Sequence, residues 1–482
     1  MLQEEKTVKR SIKAILLLAA LAVLVGGYAL VRSLAGENVD VRENEGAYPI
    51  LGEETSIAAL TWTRGETTIS LRKSGDTWYV EGDEEYPLDQ NAVEALVQSL
   101  ASLTAHMRLE GVEAPEDYGL TEPALAAAVE LANGETRALF MGDEALLGGE
   151  YYLGTGEEGV VYVTDVALSS ILSASVAELT QWEEIPRLES VARLVILGPN
   201  ASLDQSYFAD SSALTYNPDW HWFQTGMQYP SDEDAMRLLL DDVDALAWNA
   251  FVAHGVANED LAAYGLDSAN ATSVVAFEEG ASESSLSVVI GAACEGGYYA
   301  MLAGSDCVYT AAAESVASLL QATDVSVRAT DALRLDWEQV ARVEFDAGTP
   351  LTLVREESAG AAAEAESAQT QEAGTETGET VTLNGEAVDV AYAREAFEDI
   401  TSLSGDGFVD GLEVLEPLLT ITVYTDAVDF PQIALRFGAY DATSYVLENG
   451  VQPPMLVSAA SVDALIRTWM YMPAPAEEEA SS

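Results

Sequence analysis

The feature that most constrains this chain is a long internal repeat, which has to be sought before any local assignment. Tyr118-Gly119-Leu120 returns as Tyr264-Gly265-Leu266, 146 residues on. Gly142, closing a strand-like run, returns as Gly291 at an offset of 149 and then as Gly438 at 147. Tyr151-Tyr152 returns as Tyr298-Tyr299, offset 147, and in part as Ser444-Tyr445, 146 residues after Tyr298. Val161-Tyr162 returns as Val308-Tyr309, offset 147, and Val191-Ala192-Arg193 as Val340-Ala341-Arg342, offset 149. Independent matches at one spacing predict three tandem units of about 147 residues, bounded at 57–182, 183–330 and 331–472.

Each unit reads alike. Alternating strands over Thr68–Arg72 and Trp78–Val80 flank a Ser74-Gly75-Asp76 turn. In the second unit Asn217-Pro218-Asp219 is the turn and Trp222-Phe223 the strand. A helix follows. Asp89 is the expected N-cap before an apolar stripe from Ala92 to Leu103, Ser231 followed by Asp234 takes this part in the second unit, and Asp389 in the third. Strands are expected next near Met107, Phe251-Val252 and Phe408-Val409. In the first unit a Tyr-Gly-Leu turn leads to a meander over 126–131, 138–141, 151–153 and 160–163, closed by a short helix near 166–172. Many strands on short connections imply α+β units with mainly antiparallel sheets. Trp78, Trp222, Tyr118, Tyr264, Tyr151, Tyr298, Tyr445, Leu120 and Leu266 then read as core and turn anchors. Gly119 and Gly265 read as positions of positive φ, which only glycine adopts cheaply. A residue that builds the fold must recur in every copy, whereas one that does chemistry need appear once. The third unit is interrupted by 357–380, which has no large apolar residue and predicts a disordered loop, as does the tail 473–482.

The N-terminus supplies location. Lys6, Lys9, Arg10 and Lys13 precede an uninterrupted apolar run of 18 residues, Ala14 to Val31. As a helix it would span about 27 Å, close to the hydrocarbon thickness of a bilayer. The reading is a basic cytoplasmic tail at 1–11, a single-pass anchor at 12–34, an acidic spacer at 35–56 and everything beyond outside the bacterial cytoplasmic membrane. A cleaved signal peptide ending at Ser33-Leu34-Ala35 is the competing reading. No cysteine stands at the end of the run, which excludes a lipoprotein anchor.

Charge narrows the partners. The chain has 81 acidic and 21 basic residues, a net charge of −60, and beyond Val31 17 basic residues face 79 acidic ones. Phosphate backbones would repel it, so nucleic acid is excluded as a partner. With 3 histidines and 2 cysteines, no zinc or iron–sulfur site and no cofactor is expected. No serine-hydrolase elbow, zinc-protease helix, phosphate loop or dinucleotide fingerprint is present, so no catalytic residue is assigned. His106, His221 and His254 fall at non-equivalent places and read as solvated or core-edge. Acidic pairs such as Glu84-Glu85 read as solvated surface with diffuse cation affinity. Cys294 and Cys307 flank one strand of the second meander and are either a disulfide or two buried thiols.

The series Gly75-Asp76-Thr77-Trp78-Tyr79-Val80, Tyr86-Pro87-Leu88-Asp89 and Glu116-Asp117-Tyr118-Gly119-Leu120 with Pro123, completed by Gly142 and Tyr151-Tyr152, resembles the bacterial domain-of-unknown-function family numbered 4340. The likeness covers residues 57–320 well and the third unit, which lacks the Tyr-Gly-Leu turn, weakly. It implies a membrane-anchored protein, in some cases accompanying ABC-type transport components of the gliding-motility auxiliary kind, and carries over no catalytic residue. The expectation is a non-enzymatic interaction or scaffold module, auxiliary to an ABC-type transporter. The alternatives are an envelope protein binding divalent cations or wall polysaccharide, and a hydrolase with a site assembled across units.

Overall fold

The computed structural model describes residues 40–42, 47–52, 56–64, 67–145, 148–217, 219–357, 379–409, 411–425 and 429–473. The expected anchor and basic tail, most of the spacer, most of the insert at 357–380 and the C-terminal tail from 474 lie outside them. Among the described residues no helix is long and apolar enough to cross a membrane. The chain divides into two compact units: residues up to Glu184 with 251–257 and 306–308, and the remainder.

The first unit carries strands β1 (Ile57–Arg64), β2 (Thr67–Ser74), β3 (Thr77–Val80), β4 (Met107–Glu110), β5 (Leu125–Leu131), β6 (Thr136–Glu144), β7 (Tyr151–Gly154) and β8 (Val160–Thr164). They lie in the order β3-β2-β1-β5-β6-β7-β8-β4, every pairing antiparallel, and Asp40–Arg42 adds to the β4 edge. The helix α1 (Gln90–Ala101) between β3 and β4 starts where expected, because the Asp89 carboxylate accepts from the Asn91 and Ala92 amides. Its buried stripe, Val93, Leu96, Val97 and Leu100, shares one core with Leu60, Trp62, Trp78 and Leu139. Period-two alternation gives the sheet a second apolar face: Leu139 enters that core, while Ala138 and Phe140 join Leu120 and Val163 in a smaller cluster on the other side.

The second sheet is built from β9 (Val191–Leu197), β10 (Ser202–Tyr207), β11 (Trp222–Gln224), β12 (Trp248–Ala253), β13 (Thr272–Glu278), β14 (Leu286–Cys294), β15 (Gly297–Leu302) and β16 (Val308–Ala312). Its order is β11-β10-β9-β13-β14-β15-β16-β12. The third is built from β17 (Val340–Asp346), β18 (Pro350–Glu357), β19 (Glu379–Leu383), β20 (Gly407–Phe408), β21 (Leu419–Thr425), β22 (Gln432–Ala439), β23 (Ser444–Glu448) and β24 (Met455–Ser458). Its order is β19-β18-β17-β21-β22-β23-β24-β20, with Glu386–Ala387 paired outside β19. Position for position the three orders coincide.

One expectation needs correction, and one open alternative is decided. The helix α2 (Glu233–Asp244) is capped by Asp232, whose side chain accepts from the Ala235 amide, and not by Ser231. Ser231 is instead buried, its hydroxyl donating to Gln205 Oε1 at 2.6 Å. Cys294 and Cys307 form no disulfide. The meander separates them along β15: Cys294 faces Gly297 at its start, while β16 begins opposite its far half, with Tyr309 facing Ala300. Strand rise of about 3.3 Å per residue carries that separation well beyond the 7 Å a disulfide tolerates between Cα atoms.

In the third sheet, α3 (Val390–Thr401) is capped by Asp389 as expected. The closing helix α4 (Ala459–Met470) has 12 residues, where its counterparts Leu168–Ile171 and Ala313–Val316 have 4 each. Val462, Leu465 and Trp469 give α4 a full buried face. The third sheet and most of the second fall in one compact unit, where neighbouring side chains serve both cores. On β11, Trp222 enters the second core and Phe223 the third, and Tyr216 and Trp220 from the β10–β11 connection join Phe223 there.

Candidate functional site

The repeated residues are absorbed by the fold. Gly119 and Gly265 close short 3-10 turns at φ +69° and +66°. A Cβ on Gly142 would strike the Tyr118 carbonyl oxygen, and one on Gly291 the Tyr264 carbonyl. The Tyr-Gly-Leu turn is thus seated against a single glycine of β6 in the first sheet and of β14 in the second. Tyr118 meets Tyr152 edge-on at 4.8 Å, and Tyr264 meets Tyr299 at 5.1 Å. The third sheet lacks the turn, and there Val414 packs on Gly438, with Val414 Cγ1 3.1 Å from where a Cβ would stand. Trp78 and Trp222 are buried. Tyr151, Tyr298 and Tyr445 sit on the matching strands β7, β15 and β23.

What does not recur is a cluster at one end of the first sheet. In the β7–β8 hairpin Tyr151 faces Thr164, so the next pair outward is Glu150 and Asp165. On the other side of β8, Val163 faces Met107, and the His106 amide donates to the Val163 carbonyl at 3.1 Å. Three adjacent strand ends therefore deliver an imidazole and two carboxylates to one place. His106 Nδ1 lies 3.2 Å from Asp165 Oδ1, and Nε2 lies 3.5 Å from Glu150 Oε1. One potential ligand atom from each of the three lies within 4.8 Å of the others. Nδ1 is closed off from solvent and makes no hydrogen bond. Glu150 and His106 are about one-third exposed, whereas Asp165 is 76% exposed.

Carboxylates facing each other across a strand pair repel, and no lysine or arginine forms an ion pair with either one among the described residues. Arg108, two residues along, is taken by Glu110 and Glu157. Asp165 also lies on the rim of an open cleft of about 520 Å³ between α1 and the short helix Leu168–Ile171, with Ser99, Ser102 and Ser170 among its walls. Sequence reasoning passed over this trio because its members lie 44 and 15 residues apart, and only strand register unites them.

The other histidines are differently placed. His221 stacks on Tyr207 at 5.5 Å, and His254 Nε2 lies 2.8 Å from Asp83 Oδ2 within the first unit, beside the Tyr86 ring. A second charged cluster is buried in the third sheet. Glu379 accepts from Trp337 Nε1 and Arg355 Nε, each at 2.6 Å, and pairs with Arg394 at 3.4 Å. Glu379 is 5% exposed and Arg355 9%. Burial alone would raise the Glu379 carboxyl, but the bonds from Arg355 and Trp337 outweigh it and hold it below the usual carboxylate range. It pins β18 to β19 on either side of the insert and makes a structural lock, not an open site.

A family model described as "Domain of unknown function (DUF4340)" matches residues 78–183 and 220–409, more than half of the chain. The chain belongs to the DUF4340 family. The DUF4340 match takes in β3 to β8 of the first sheet, β11 to β16 of the second and β17 to β20 of the third, leaving β9 and β10 unmatched, and its C-terminal end lies past residue 320, where the strong sequence resemblance stops. It encloses His106, Glu150 and Asp165. No curated protein matches. Among solved structures, DNA polymerase III subunit beta from Borrelia burgdorferi in complex with a natural product aligns over 90% of this chain and 96% of its own, at 7% identity and a TM-score of 0.11. A likeness that weak carries no argument about this DUF4340 chain.

Proposed function

We propose that this DUF4340 chain is a non-enzymatic interaction module: three tandem copies of one α+β unit, held outside the cytoplasmic membrane by residues 12–34 and serving as an auxiliary of an ABC-type transporter. The observation that carries this reading is the coincidence of strand order in the three sheets, together with the use of Trp78, Trp222, Leu120 and Leu266 in the cores and of Gly142, Gly291 and Gly438 in close contacts. Multiplying one scaffold enlarges surface without multiplying a reactive centre, which is how tandem arrays serve binding. The basic flank, the apolar run and the acidic remainder of the sequence support the anchor and its orientation. Affinity purification of the tagged full chain from solubilised membranes tests the reading. Transporter subunits should co-purify, and recovery of nothing above an untagged control would remove the transporter part. Protease shaving of intact cells tests the location: the chain should be degraded from outside, and full protection would overturn an extracytoplasmic ectodomain.

A further inference from the structure

We propose that His106, Glu150 and Asp165 form a binding site for one divalent first-row transition-metal ion, of the Zn²⁺ or Mn²⁺ type. The proposal is independent of the scaffold reading.

Three observations carry it. The first is convergence: three strand ends place one imidazole and two carboxylates with ligand atoms within 4.8 Å of one another. A metal bonded at about 2.0–2.2 Å brings such ligand atoms to within roughly 3–4 Å of each other, so closure takes a shift of about an ångström. The exposed Asp165 side chain can supply that shift by changing rotamer. Nδ1 faces Asp165 and Nε2 faces Glu150, so the ion takes Nδ1 on the Asp165 side and the Glu150 carboxylate swings round to it. The second is a buried atom without use: His106 Nδ1 is closed to solvent, makes no hydrogen bond and points at a carboxylate. A buried unsatisfied nitrogen costs free energy, and a bound cation removes both that cost and the repulsion between the facing acids.

The third is uniqueness. At the paired positions of the other two sheets the β15–β16 hairpin has Gly297 opposite Ala312, and the β23–β24 hairpin has Ser444 opposite Ser458. The fold is built there without acids, so the acids of the first sheet are not required by it. A nitrogen-plus-oxygen ligand set favours borderline ions over Ca²⁺ or Mg²⁺, which prefer all-oxygen cages. Three protein ligands leave at least one position for water or an outside ligand.

The test titrates the full chain with Zn²⁺ in excess Mg²⁺, which occupies the diffuse acidic surface. One equivalent should bind and be removable by a chelator. His106→Gln and Glu150→Gln should each weaken it by more than about tenfold, while Glu85→Gln, an exposed acid elsewhere in the same unit, leaves it unchanged. Co²⁺ loaded in place of Zn²⁺ should give visible ligand-field bands that vanish in His106→Gln. Asp165→Asn, at the surface, supplies the same readout should His106→Gln fail to fold. The absence of an equivalent that survives Mg²⁺, or unchanged affinity in His106→Gln and Asp165→Asn, overturns the proposal.

Discussion

Replacing Glu379 by glutamine tests whether the buried lock of the third sheet carries its stability. The side chain keeps its shape and one oxygen for Trp337 Nε1, but it loses the charge that faces Arg355 at 2.6 Å and Arg394 at 3.4 Å. Arg355 is 9% exposed and cannot turn to water for compensation. Breaking a buried pair by neutralising one partner costs about 3–5 kcal/mol. Glutamine still accepts hydrogen bonds, so we place the cost near the lower limit, about 3 kcal/mol. At about 2–3 °C per kcal/mol for a unit of this size, the melting temperature should fall by about 6–9 °C.

The sign with pH follows from the same contacts. Glu379 is held below its usual range when folded, so its contribution is present above the unfolded value of about 4.3 and is lost as pH falls through the folded one. The gap between wild type and E379Q measured by denaturant titration should therefore narrow from about pH 5 downward. Glu338→Gln, which removes a 61% exposed partner of Arg394, should cost under about 1 kcal/mol. An E379Q variant within 1 kcal/mol of wild type at pH 7, or a gap that widens in acid, would refute the argument.

Three further outcomes are expected. Gly142→Ala and Gly291→Ala drive a methyl onto a backbone carbonyl and should each lose about 1–3 kcal/mol by chemical denaturation, while Gly407→Ala, with open space around it, should stay within about 0.5 kcal/mol. Trp220→Ala removes a fully buried ring from the third core and should cost about 3–5 kcal/mol, read as a lower transition for the third sheet although the residue belongs to the chain of the second. Mass spectrometry without reductant should find both cysteines alkylatable, the partly exposed Cys294 before the buried Cys307; a mass two hydrogens lighter that resists alkylation would contradict the strand register.

The α+β class and the antiparallel meander were legible because each rests on local signals. Asp89 and Asp389 as caps, the Ser74-Gly75-Asp76 turn and the positive φ of Gly119 and Gly265 are all written within a few residues. The cap of α2 was misplaced by one residue because Ser231 and Asp232 are both good capping types, and only the buried Gln205 oxygen decides between them. The trio at His106 was invisible for a different reason. Cross-strand neighbours are set by register, and a slip of one residue would turn Glu150 or Asp165 to the other face. The DUF4340 resemblance did not help, since it carries no assigned site.

The double duty of β11 has a mechanical consequence. Trp222 and Phe223, adjacent in sequence, are clamped in two different cores, and Tyr216 and Trp220 are threaded with Phe223 into the third. Tension applied along the chain cannot peel the third sheet away at the covalent link near residue 331 alone; it must also pull three aromatic rings out through the β10–β11 connection. The second and third sheets therefore yield to force as a single link of the array, and a truncation that begins at residue 331 leaves the third core with three aromatic vacancies.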